Sequence, residues 1–251
     1  MIIRKSKTEI ETMSRAGAVV AKTLALLGGL AKPGVTTAEL DEAAESYIRS
    51  EGGVPTFKGY RGFPAAICTS PNSMVVHGIP GPYELKEGDL ISVDVGVTLD
   101  GFVADSAYTF PVGAVDDEAG RLLEVCQAAL AAGIEQARAG NHVQDISAAV
   151  QRTTEEAGFS VVRSLVGHGI GRSMHEDPQV PNFGEPGRGP LLQPGMTLAI
   201  EPMINVGGPD VSMADDRWSI STDDDSLSAH FEHTVAITDN GPLVLTKAGS
   251  E

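Results

Sequence analysis

The most constraining stretch of this chain runs from Leu90 to Phe110 and reads LISVDVGVTLDGFVADSAYTF. Two segments rich in β-branched residues flank the dipeptide Asp100-Gly101, which favours a two-residue turn between antiparallel strands. Pairing the strands across that turn sets Leu99 opposite Phe102, Val97 opposite Ala104 and Asp94 opposite Ala107. The run therefore predicts a β-hairpin with a defined register.

This register brings two acidic side chains to the same face of the hairpin. Asp105 lies diagonally across from Asp94, with the two β-carbons roughly 7–8 Å apart. Two carboxylates this close on an apolar ribbon repel each other at neutral pH unless a proton or a cation lies between them. A bound metal ion is the simplest explanation, so the hairpin is the first indication of a metal site.

The charge of the chain limits the partners that it can bind. Lysine and arginine number 18 and aspartate and glutamate 34, which gives a net charge of −16. Such a chain is a poor match for nucleic acid or for an anionic membrane surface. The N-terminal sequence does not resemble a signal peptide, and no stretch approaches the roughly 18 continuous apolar residues of a membrane span. We therefore expect a cytoplasmic protein.

Helical patterns occur in two pairs, each followed by predicted strands. The predicted helices run from Ser6 to a break at Pro33, from Thr36 to Gly52, from about Asp117 to Ala139 and from about Val143 to Ala157. The stretch from Pro55 to Pro82 is rich in Gly, Pro and Ser and is predicted to form loops and short strands.

A weak internal repeat relates the two halves of the chain. The segment AKPGVTTAELDEAAESYIRSEGG aligns with ARAGNHVQDISAAVQRTTEEAGF, and EGDLISVD aligns with PGMTLAIE, so that Asp94 corresponds to Glu201. Each half thus has two helices followed by a sheet segment that delivers a carboxylate. The sequence predicts one domain over residues 1–251, with pseudo-two-fold halves of about 1–115 and 116–251 and the site between them.

A glycine-rich segment, VGHGIGRSMHEDPQV from Val166 to Val180, carries two histidines. His168 lies between Gly167 and Gly169, where the absent side chains leave the imidazole open to a ligand, and His175 follows it. A lone histidine is more commonly a packed core residue or a surface residue. The flanking glycines, together with carboxylates in strand settings elsewhere, favour metal ligation here.

Two further carboxylates lie in predicted strands. Glu201 ends the apolar strand from Met196 to Ile200, where a buried carboxylate is costly unless it is paired or bound to metal. A salt bridge is the alternative, but lysine and arginine are scarce nearby. Glu232 lies between Phe231 and His233 in a β-branched run, and a solvent-facing position is its alternative.

The candidate ligands are four carboxylates and one imidazole, from Asp94, Asp105, His168, Glu201 and Glu232. An oxygen-rich set with one nitrogen suits Mn, Fe, Co or Zn ions and argues against a thiolate site. The number of ligands suits two ions about 3.5–4 Å apart that share carboxylates, as in hydrolytic two-metal sites. The spacing alone therefore indicates a metal-dependent hydrolase.

Segments in order along nearly the whole chain resemble the signature segments of type I methionine aminopeptidases. They are NSMVVHGIP, ISVDVGV with GFVADSA, GHGIGRSMHEDPQV, PGMTLAIEPMI and SLSAHFEHTV. The resemblance implies the pita-bread fold, an α+β fold in which helices cover a curved antiparallel sheet with two pseudo-symmetric halves. It also implies removal of the initiator methionine from nascent chains whose second residue is small.

The resemblance further implies a role for each matching residue. The ligands of one metal ion would be Asp105, His168, Glu201 and Glu232, and those of the other would be Asp94, Asp105 and Glu232. Glu201 would also take a proton from the attacking water. His77 would contact the scissile peptide group, and His175 would help to stabilise the oxyanion that develops during attack. The two ions would be Co, Mn, Fe(II) or Zn.

The resemblance places the methionine pocket among apolar and soft side chains. The residues at the matching positions are Tyr60, Phe63, Cys68, Met174 and Trp218, together with His77 and His175. Each of the apolar ones could instead be ordinary core packing. Met174 stands where bacterial relatives commonly have phenylalanine, and Phe63 where they commonly have tyrosine. Both departures keep the pocket apolar.

The implied partners are nascent polypeptide N-termini at the ribosome exit, and the protein is expected to be a monomer. A prolidase or Xaa-Pro aminopeptidase of the same fold is one alternative, although those enzymes usually carry a separate N-terminal domain for which this chain has no room. A catalytically inactive pita-bread binding module is another, but such proteins lose ligands that are all present here. The Gly- and Pro-rich loop from Asn182 to Leu192 has no predicted function.

Overall fold

A computed structural model describes residues 1–247 of the chain. The helices are α1 (Lys7–Leu30), α2 (Thr37–Ser50), α3 (Asp117–Gln136) and α4 (Val143–Glu156). The strands are β1 (Val54–Pro55), β2 (Cys68–Pro71), β3 (Met74–Val76), β4 (Leu90–Leu99), β5 (Phe102–Pro111), β6 (Ser160–Val161), β7 (Val166–Gly169), β8 (Glu176–Pro181), β9 (Thr197–Ile200), β10 (Met203–Asn205), β11 (Val211–Met213), β12 (Ile220–Thr222), β13 (Ser228–His230), β14 (His233–Thr238) and β15 (Gly241–Val244).

The first two helices begin directly after the predicted residues Ser6 and Thr36. Ser6 and Thr36 are the N-caps of α1 and α2, and each side chain accepts a hydrogen bond from the backbone of the glutamate three residues on. Glu9 and Glu39 in turn accept from the backbone of the cap residue. Both ends are therefore capping boxes, which satisfy donors that the helix itself cannot.

The third helix ends earlier than predicted, at Gln136 rather than Ala139. The backbone after it is used elsewhere, because the N–H groups of Gly140 and Val143 donate to the carbonyls of Leu192 and Pro190. This pairing with a distant segment stops the helix despite the favourable alanine content. Local propensity therefore located the helix but not its end.

The hairpin of β4 and β5 has the predicted register. Asp94 pairs with Ala107 and Asp105 with Gly96, which confirms the diagonal relation of the two aspartates. Asp100 and Gly101 have φ angles of 49° and 78°, the left-handed values that a type I′ turn requires at both central positions. The turn chemistry and the alternation of side chains thus determine where both carboxylates point.

The strands are antiparallel and form several small sheets around the site. β4 pairs with β1, β2 and β5, and a second sheet has the order β15-β14-β9-β7-β8. One buried core joins α1 and α2 to β4, and another joins α3 and α4 to β9, β10 and β14. The observed helix pairs and antiparallel sheets confirm the α+β class.

Matched positions of the sequence repeat have matched conformations. Gly34 and Gly140 have φ angles of 91° and 95°, and Gly88 and Gly195 both have 91°. Isolated β-bridges occur at Thr36 with Glu84 and at His142 with Leu191, again at corresponding places. These similarities support the two pseudo-symmetric halves, while the single-domain assignment stays a prediction that includes residues 248–251, which lie outside the described residues.

One helix, α1, is long and apolar enough to cross a membrane if length and composition alone are considered. Half of its most apolar window is buried inside the protein. The helix packs on α2, β4 and β5, and Met13, Val20 and Leu27 on its inner face are fully buried. We therefore interpret α1 as a core helix of this fold.

Gly17→Ala is expected to destabilise the protein by about 1–3 kcal/mol, the usual cost of overpacking. A β-carbon at Gly17 would overlap the backbone carbonyl of Leu245, which packs directly against α1. The matched control is Gly29→Ala on the same helix, where a β-carbon would meet nothing within 4 Å. That change should stabilise by up to about 1 kcal/mol. Equal urea midpoints for the two variants would contradict this packing.

Candidate active site

The residues that the sequence singled out line one cavity of about 280 Å³. Its walls include all of the candidates, namely Asp94, Asp105, His168, Glu201, Glu232, His77, His175, Tyr60, Phe63, Cys68, Met174 and Trp218. These residues come from the sheet that contains β4, from the sheet that contains β7, and from loops between strands. The structure thus brings together every side chain for which a site role was expected, without itself testing those roles.

Long-range hydrogen bonds hold Asp105 beside Glu232. The Thr234 hydroxyl accepts from the Asp105 N–H at 2.9 Å and donates to the Asp105 carbonyl at 2.8 Å. The Glu232 N–H donates to the Ala107 carbonyl at 3.0 Å, and the Ser106 hydroxyl donates to the Glu232 carbonyl. Since β5 and β14 belong to different halves of the chain, these bonds fix the geometry of the site across the seam between them.

The β-branched run suggested that Glu232 lies inside a strand, but the structure places it outside one. It lies in the two-residue break between β13 and β14, and it is only 2% exposed, which excludes a solvent-facing position. The break turns its side chain into the cavity. Sequence alternation could not show this, because the run HFEHTVAIT has no glycine or proline to mark the break.

His168 is fixed in a tautomer suited to metal ligation. Its Nδ1 donates to the Gly169 carbonyl at 2.9 Å, which leaves the lone pair on Nε2. The flanking glycines have a further role, because a β-carbon at Gly167 or Gly169 would overlap the backbone of β9 or β8. Close strand packing, in addition to an open imidazole, therefore explains these two glycines.

Glu201 follows β9 directly and turns back toward His168. Its Oε1 lies 3.5 Å from His168 Nε2, and the amide of Asn182 donates to its backbone carbonyl at 3.1 Å. Asn182 begins the loop for which the sequence predicted no function. Further along that loop, the N–H groups of Gly184 and Gly187 donate to side chains of α4. The loop is thus packed on α4 and supports the backbone of Glu201.

Three of the buried carboxyl groups each have one oxygen without a protein partner among the described residues. Asp94 Oδ1, Asp105 Oδ1 and Glu232 Oε1 are buried, and no residue within the described part of the chain gives them a hydrogen bond. Arg61 is the one lysine or arginine on the cavity wall among residues 1–247. The cavity wall therefore concentrates carboxylate oxygens without a matching number of positively charged side chains.

The pKa values of these carboxyl groups show the cost of that arrangement. Burial raises the pKa of Asp94 to about 7 against the effect of a hydrogen bond with Asp105. Burial and the neighbouring carboxylates raise the pKa values of Asp105, Glu201 and Glu232 as well. Without a cation the groups cannot all ionise at neutral pH.

The same donor set suits divalent metal ions. One ligand atom from each of Asp105, His168 and Glu232 can be chosen so that all three lie within 4.8 Å of one another. Carboxylate oxygens and an imidazole nitrogen are ligands for Mn, Fe, Co and Zn, and bound cations would supply the missing counter-charge. We conclude that the residues present fit divalent metals.

One wall of the cavity is apolar. Phe63 packs edge-to-face on Trp218, with ring centroids 5.1 Å apart, and Met174 and Cys68 are almost fully buried beside them. Burial raises the pKa of the Cys68 thiol well above its usual range, so this cysteine is a neutral part of the wall and not a thiolate ligand.

Two histidines stand at the rim between the apolar wall and the carboxylates. Burial lowers the pKa of His77 to about 4 and, less strongly, that of His175, so both are neutral at pH 7. The Tyr60 hydroxyl lies 2.9 Å from His175 Nδ1. His77 has a φ of 60°, a backbone conformation that non-glycine residues seldom adopt and that tends to mark functional sites.

Two residues of this region were not predicted from the sequence. Arg61 lines the cavity from a left-handed turn with φ 50° and lies over the Tyr60 ring at 5.4 Å. His230 is buried with its Nε2 3.9 Å from Glu201 Oε2. Its position two residues before the candidate ligand Glu232 could have drawn attention to it.

Comparisons with known proteins agree with this geometry. The sequence profile of metallopeptidase family M24 matches residues 11–239. A methionine aminopeptidase from Clostridium perfringens is 53% identical over 246 residues, which cover 98% of this chain and 99% of the relative. Methionine aminopeptidase 1 from Bacillus subtilis is 49% identical over 247 residues, 98% of this chain and 100% of the relative. The chain therefore belongs to metallopeptidase family M24.

Solved structures support the same grouping. A methionine aminopeptidase from Thermotoga maritima superposes with a TM-score of 0.97 at 43% identity, covering 98% of this chain and 100% of that one. A prolidase from Pyrococcus furiosus has a TM-score of 0.77 at 22% identity and shares the fold alone. These likenesses confirm the pita-bread fold, and the full-length relatives place the chain among the methionine aminopeptidases of its family.

The metal-free protein is expected to lose stability as the pH rises above about 6.5. In the unfolded chain the carboxyl groups have pKa values near 4 and are already ionised at this pH. In the folded protein the groups with raised pKa values still hold their protons. The free energy of unfolding therefore falls by about 1.4 kcal/mol per pH unit for each such group. Buried histidines with lowered pKa values, such as His168, oppose this only below about pH 6.5, where the unfolded imidazole is charged.

Thermal melts of chelator-treated protein between pH 6.5 and 8.5 test this expectation. The Tm should fall by roughly 2–4 °C for each kcal/mol lost. Manganese-loaded protein should show a smaller decrease, because its ligand carboxylates are already ionised. Asp94→Asn should reduce the slope of the metal-free protein between pH 6.5 and about 7, because the folded pKa of Asp94 is about 7 and the variant removes this titrating group. A metal-free Tm independent of pH over this range would contradict the electrostatic account of the site.

Proposed function

We propose that this chain removes the N-terminal methionine from nascent proteins and peptides whose second residue is small. The observation that carries the proposal is the arrangement of the cavity, in which an apolar wall adjoins a cluster of carboxylates and neutral histidines. The names of its full-length relatives point to the same reaction. Hydrolysis of the first peptide bond requires both parts, one to bind the side chain and one to activate water.

Five residues would hold two divalent ions. By the resemblance, Asp105, His168, Glu201 and Glu232 hold one ion and Asp94, Asp105 and Glu232 hold the other. Bound ions lower the pKa of water and polarise the carbonyl under attack. The orphaned oxygens of Asp94, Asp105 and Glu232 support this assignment. The ligand types admit Co, Mn, Fe(II) and Zn.

Glu201 is proposed as the group that accepts a proton from the attacking water. Its carboxylate borders the cavity, and a proton taken up at a carboxylate oxygen can then pass to the leaving amine. Support from Asn182 fixes the Glu201 backbone. His168 cannot compete for the proton when its Nε2 lone pair serves as a ligand.

His77 and His175 are proposed to contact the scissile peptide group. Donation from the Tyr60 hydroxyl to His175 Nδ1 leaves the proton of the neutral imidazole on Nε2, the nitrogen that can then donate to an oxyanion. A donor in place before attack stabilises the charge as it develops. His77, also neutral, lines the same cavity and would orient the substrate.

The apolar wall is proposed to select methionine. Tyr60, Phe63, Cys68, Met174 and Trp218 provide aromatic and sulfur surfaces of the kind that thioethers contact favourably. A cavity of about 280 Å³ has room for one such side chain. The size limit on the second residue would follow from the histidines that narrow the rim.

Release of free methionine from Met-Ala-Ser tests the reaction. Chelator-stripped protein should be inactive, and separate addition of Mn, Co, Fe(II) or Zn should restore release with at least one metal. Ala-Pro-Ala is the contrasting substrate, because a prolidase-like enzyme would prefer it. A folded, metal-binding protein that releases no methionine would support the inactive binding module and contradict the proposal.

Glu201→Gln is expected to lower kcat by about 10²–10⁴-fold, the range for loss of general acid–base catalysis. The amide keeps the size of the side chain and one oxygen ligand but cannot accept the proton. Metal content, measured by elemental analysis, should stay near the wild-type value, and the circular dichroism spectrum should not change. A wild-type rate for this variant would show that another group takes the proton.

We also propose that the protein acts as a cytoplasmic monomer on chains emerging from the ribosome. Its exposed large hydrophobic residues include Met1, Leu191 and Met213, while Met13, Val20 and Leu27 of α1 are fully buried. Light scattering coupled to gel filtration should give the mass of one chain, 26.1 kDa. A dimer mass at micromolar concentration would contradict the monomer.

A further inference from the structure

His230 is a buried histidine beside the carboxylate cluster. It ends β13, is 2% exposed, and its Nε2 has no hydrogen-bond partner among residues 1–247. That nitrogen lies 3.9 Å from Glu201 Oε2 and 4.0 Å from Glu232 Oε2. A buried polar atom without a partner is costly, so its position between two carboxylates requires an explanation.

The sheet holds this imidazole in place. The His230 N–H donates to the Thr109 hydroxyl at 2.9 Å, and that hydroxyl donates to the His230 carbonyl at 2.8 Å. On its other side the residue pairs with Met203 of β10. The backbone of His230 is therefore fixed by contacts on both sides, and this fixes the direction of its side chain. A positioning group needs such a rigid support.

The imidazole is a donor toward the carboxylates. An imidazole carries an N–H on at least one of its two ring nitrogens. A lone pair on Nε2 would face two carboxylate oxygens and be repelled, which favours the tautomer with the proton on Nε2. His168 cannot donate to Glu201 in the same way, because its Nδ1 carries the proton and its Nε2 the lone pair.

The two oxygens of Glu201 have different neighbours. Oε1 lies 3.5 Å from His168 Nε2 and thus faces the ligand cluster, whereas Oε2 faces His230. The separation of 3.9 Å between His230 Nε2 and Glu201 Oε2 is too long for a direct hydrogen bond. A small movement of the two side chains toward each other, or one bridging water, would connect them. Catalytic hydrogen bonds are commonly longer in free enzymes than in their complexes.

We propose that His230 is a positioning residue that donates its Nε2–H to Oε2 of Glu201, directly or through one water, and so holds the proton-accepting carboxylate in its working orientation. The inference rests on the proposed role of Glu201. It predicts that the donor matters and that the imidazole ring as such does not, since a side-chain amide can supply an equivalent N–H.

The test compares His230→Gln, which keeps a donor, with His230→Leu, which keeps only apolar volume. With Met-Ala-Ser and manganese-loaded protein, the Leu variant should lose about 10–100-fold in kcat, the usual effect of removing a group that orients a metal ligand, with KM changed less than about twofold. The Gln variant should recover kcat to within about threefold of wild type. Calorimetric titration of stripped protein with manganese should show about tenfold weaker binding for Leu and near-normal binding for Gln.

His233→Leu is the matched control, because it removes another histidine close by, one that is half-buried. His233 Nδ1 lies 2.8 Å from the Thr246 hydroxyl, away from Glu201, so its loss should lower the Tm and leave kcat unchanged. If His230→Leu does not fold, His230→Met replaces it with the same expectations. Wild-type protein that binds manganese but releases no methionine would contradict the proposed function, while the manganese titrations would still test the position of His230.

Three results would overturn the inference. Equal kcat values for wild type and His230→Leu would show that Glu201 needs no hydrogen bond from residue 230. Equal losses in the Gln and Leu variants, with metal binding retained, would show that the imidazole itself is required. Loss of manganese binding in both variants would make His230 a metal ligand instead of a positioning residue.

Discussion

Buried negative charge without matching positive charge is the constraint on which this structure depends. Asp94, Asp105, Glu201 and Glu232 converge in one cavity, and the only lysine or arginine on its wall within residues 1–247 is Arg61. Burial raises the pKa values of all four carboxyl groups. Such a cluster is stable only if it binds protons or cations, and at neutral pH metal ions are the stronger partners. The chemistry proposed for the site follows from the same need.

The rest of the fold keeps those groups together. β4 and β5 set Asp94 and Asp105 through hairpin register, while the break between β13 and β14 sets Glu232. The Thr234 hydroxyl and the Ala107 carbonyl join these elements across the two halves of the chain. Because like charges favour separation, hydrogen bonds across the seam have to hold the acidic residues at short range. The two helix pairs bury the apolar side chains that stabilise each half.

Local signals predicted the parts of the structure that depend on neighbouring residues. The register of the central hairpin followed from Asp100-Gly101 and the alternation around it, and the starts of the first two helices at Ser6 and Thr36 were also predicted. The ligand set could be predicted because buried carboxylates in strand settings are unusual. Its assignment to particular ions came only from the resemblance to a known family.

Distant contacts explain what the sequence could not show. The third helix ends early because its following backbone pairs with Leu192 and Pro190, which lie far along the chain. The loop that begins at Asn182 supports Glu201 through one amide, a contact with no sequence pattern. His230 was missed for a similar reason, since its proximity to Glu201 exists only when β13 and β9 have come together.

Diffraction from crystals soaked in manganese tests the central claim most directly. Anomalous difference maps should show two peaks about 3.5–4 Å apart, both within bonding distance of Asp105 and Glu232, as shared carboxylates require. His168 should contact only one of the two peaks. A map without a peak between these carboxylates, in crystals whose surface sites do bind manganese, would contradict the account, because the buried charge would then be balanced by protons.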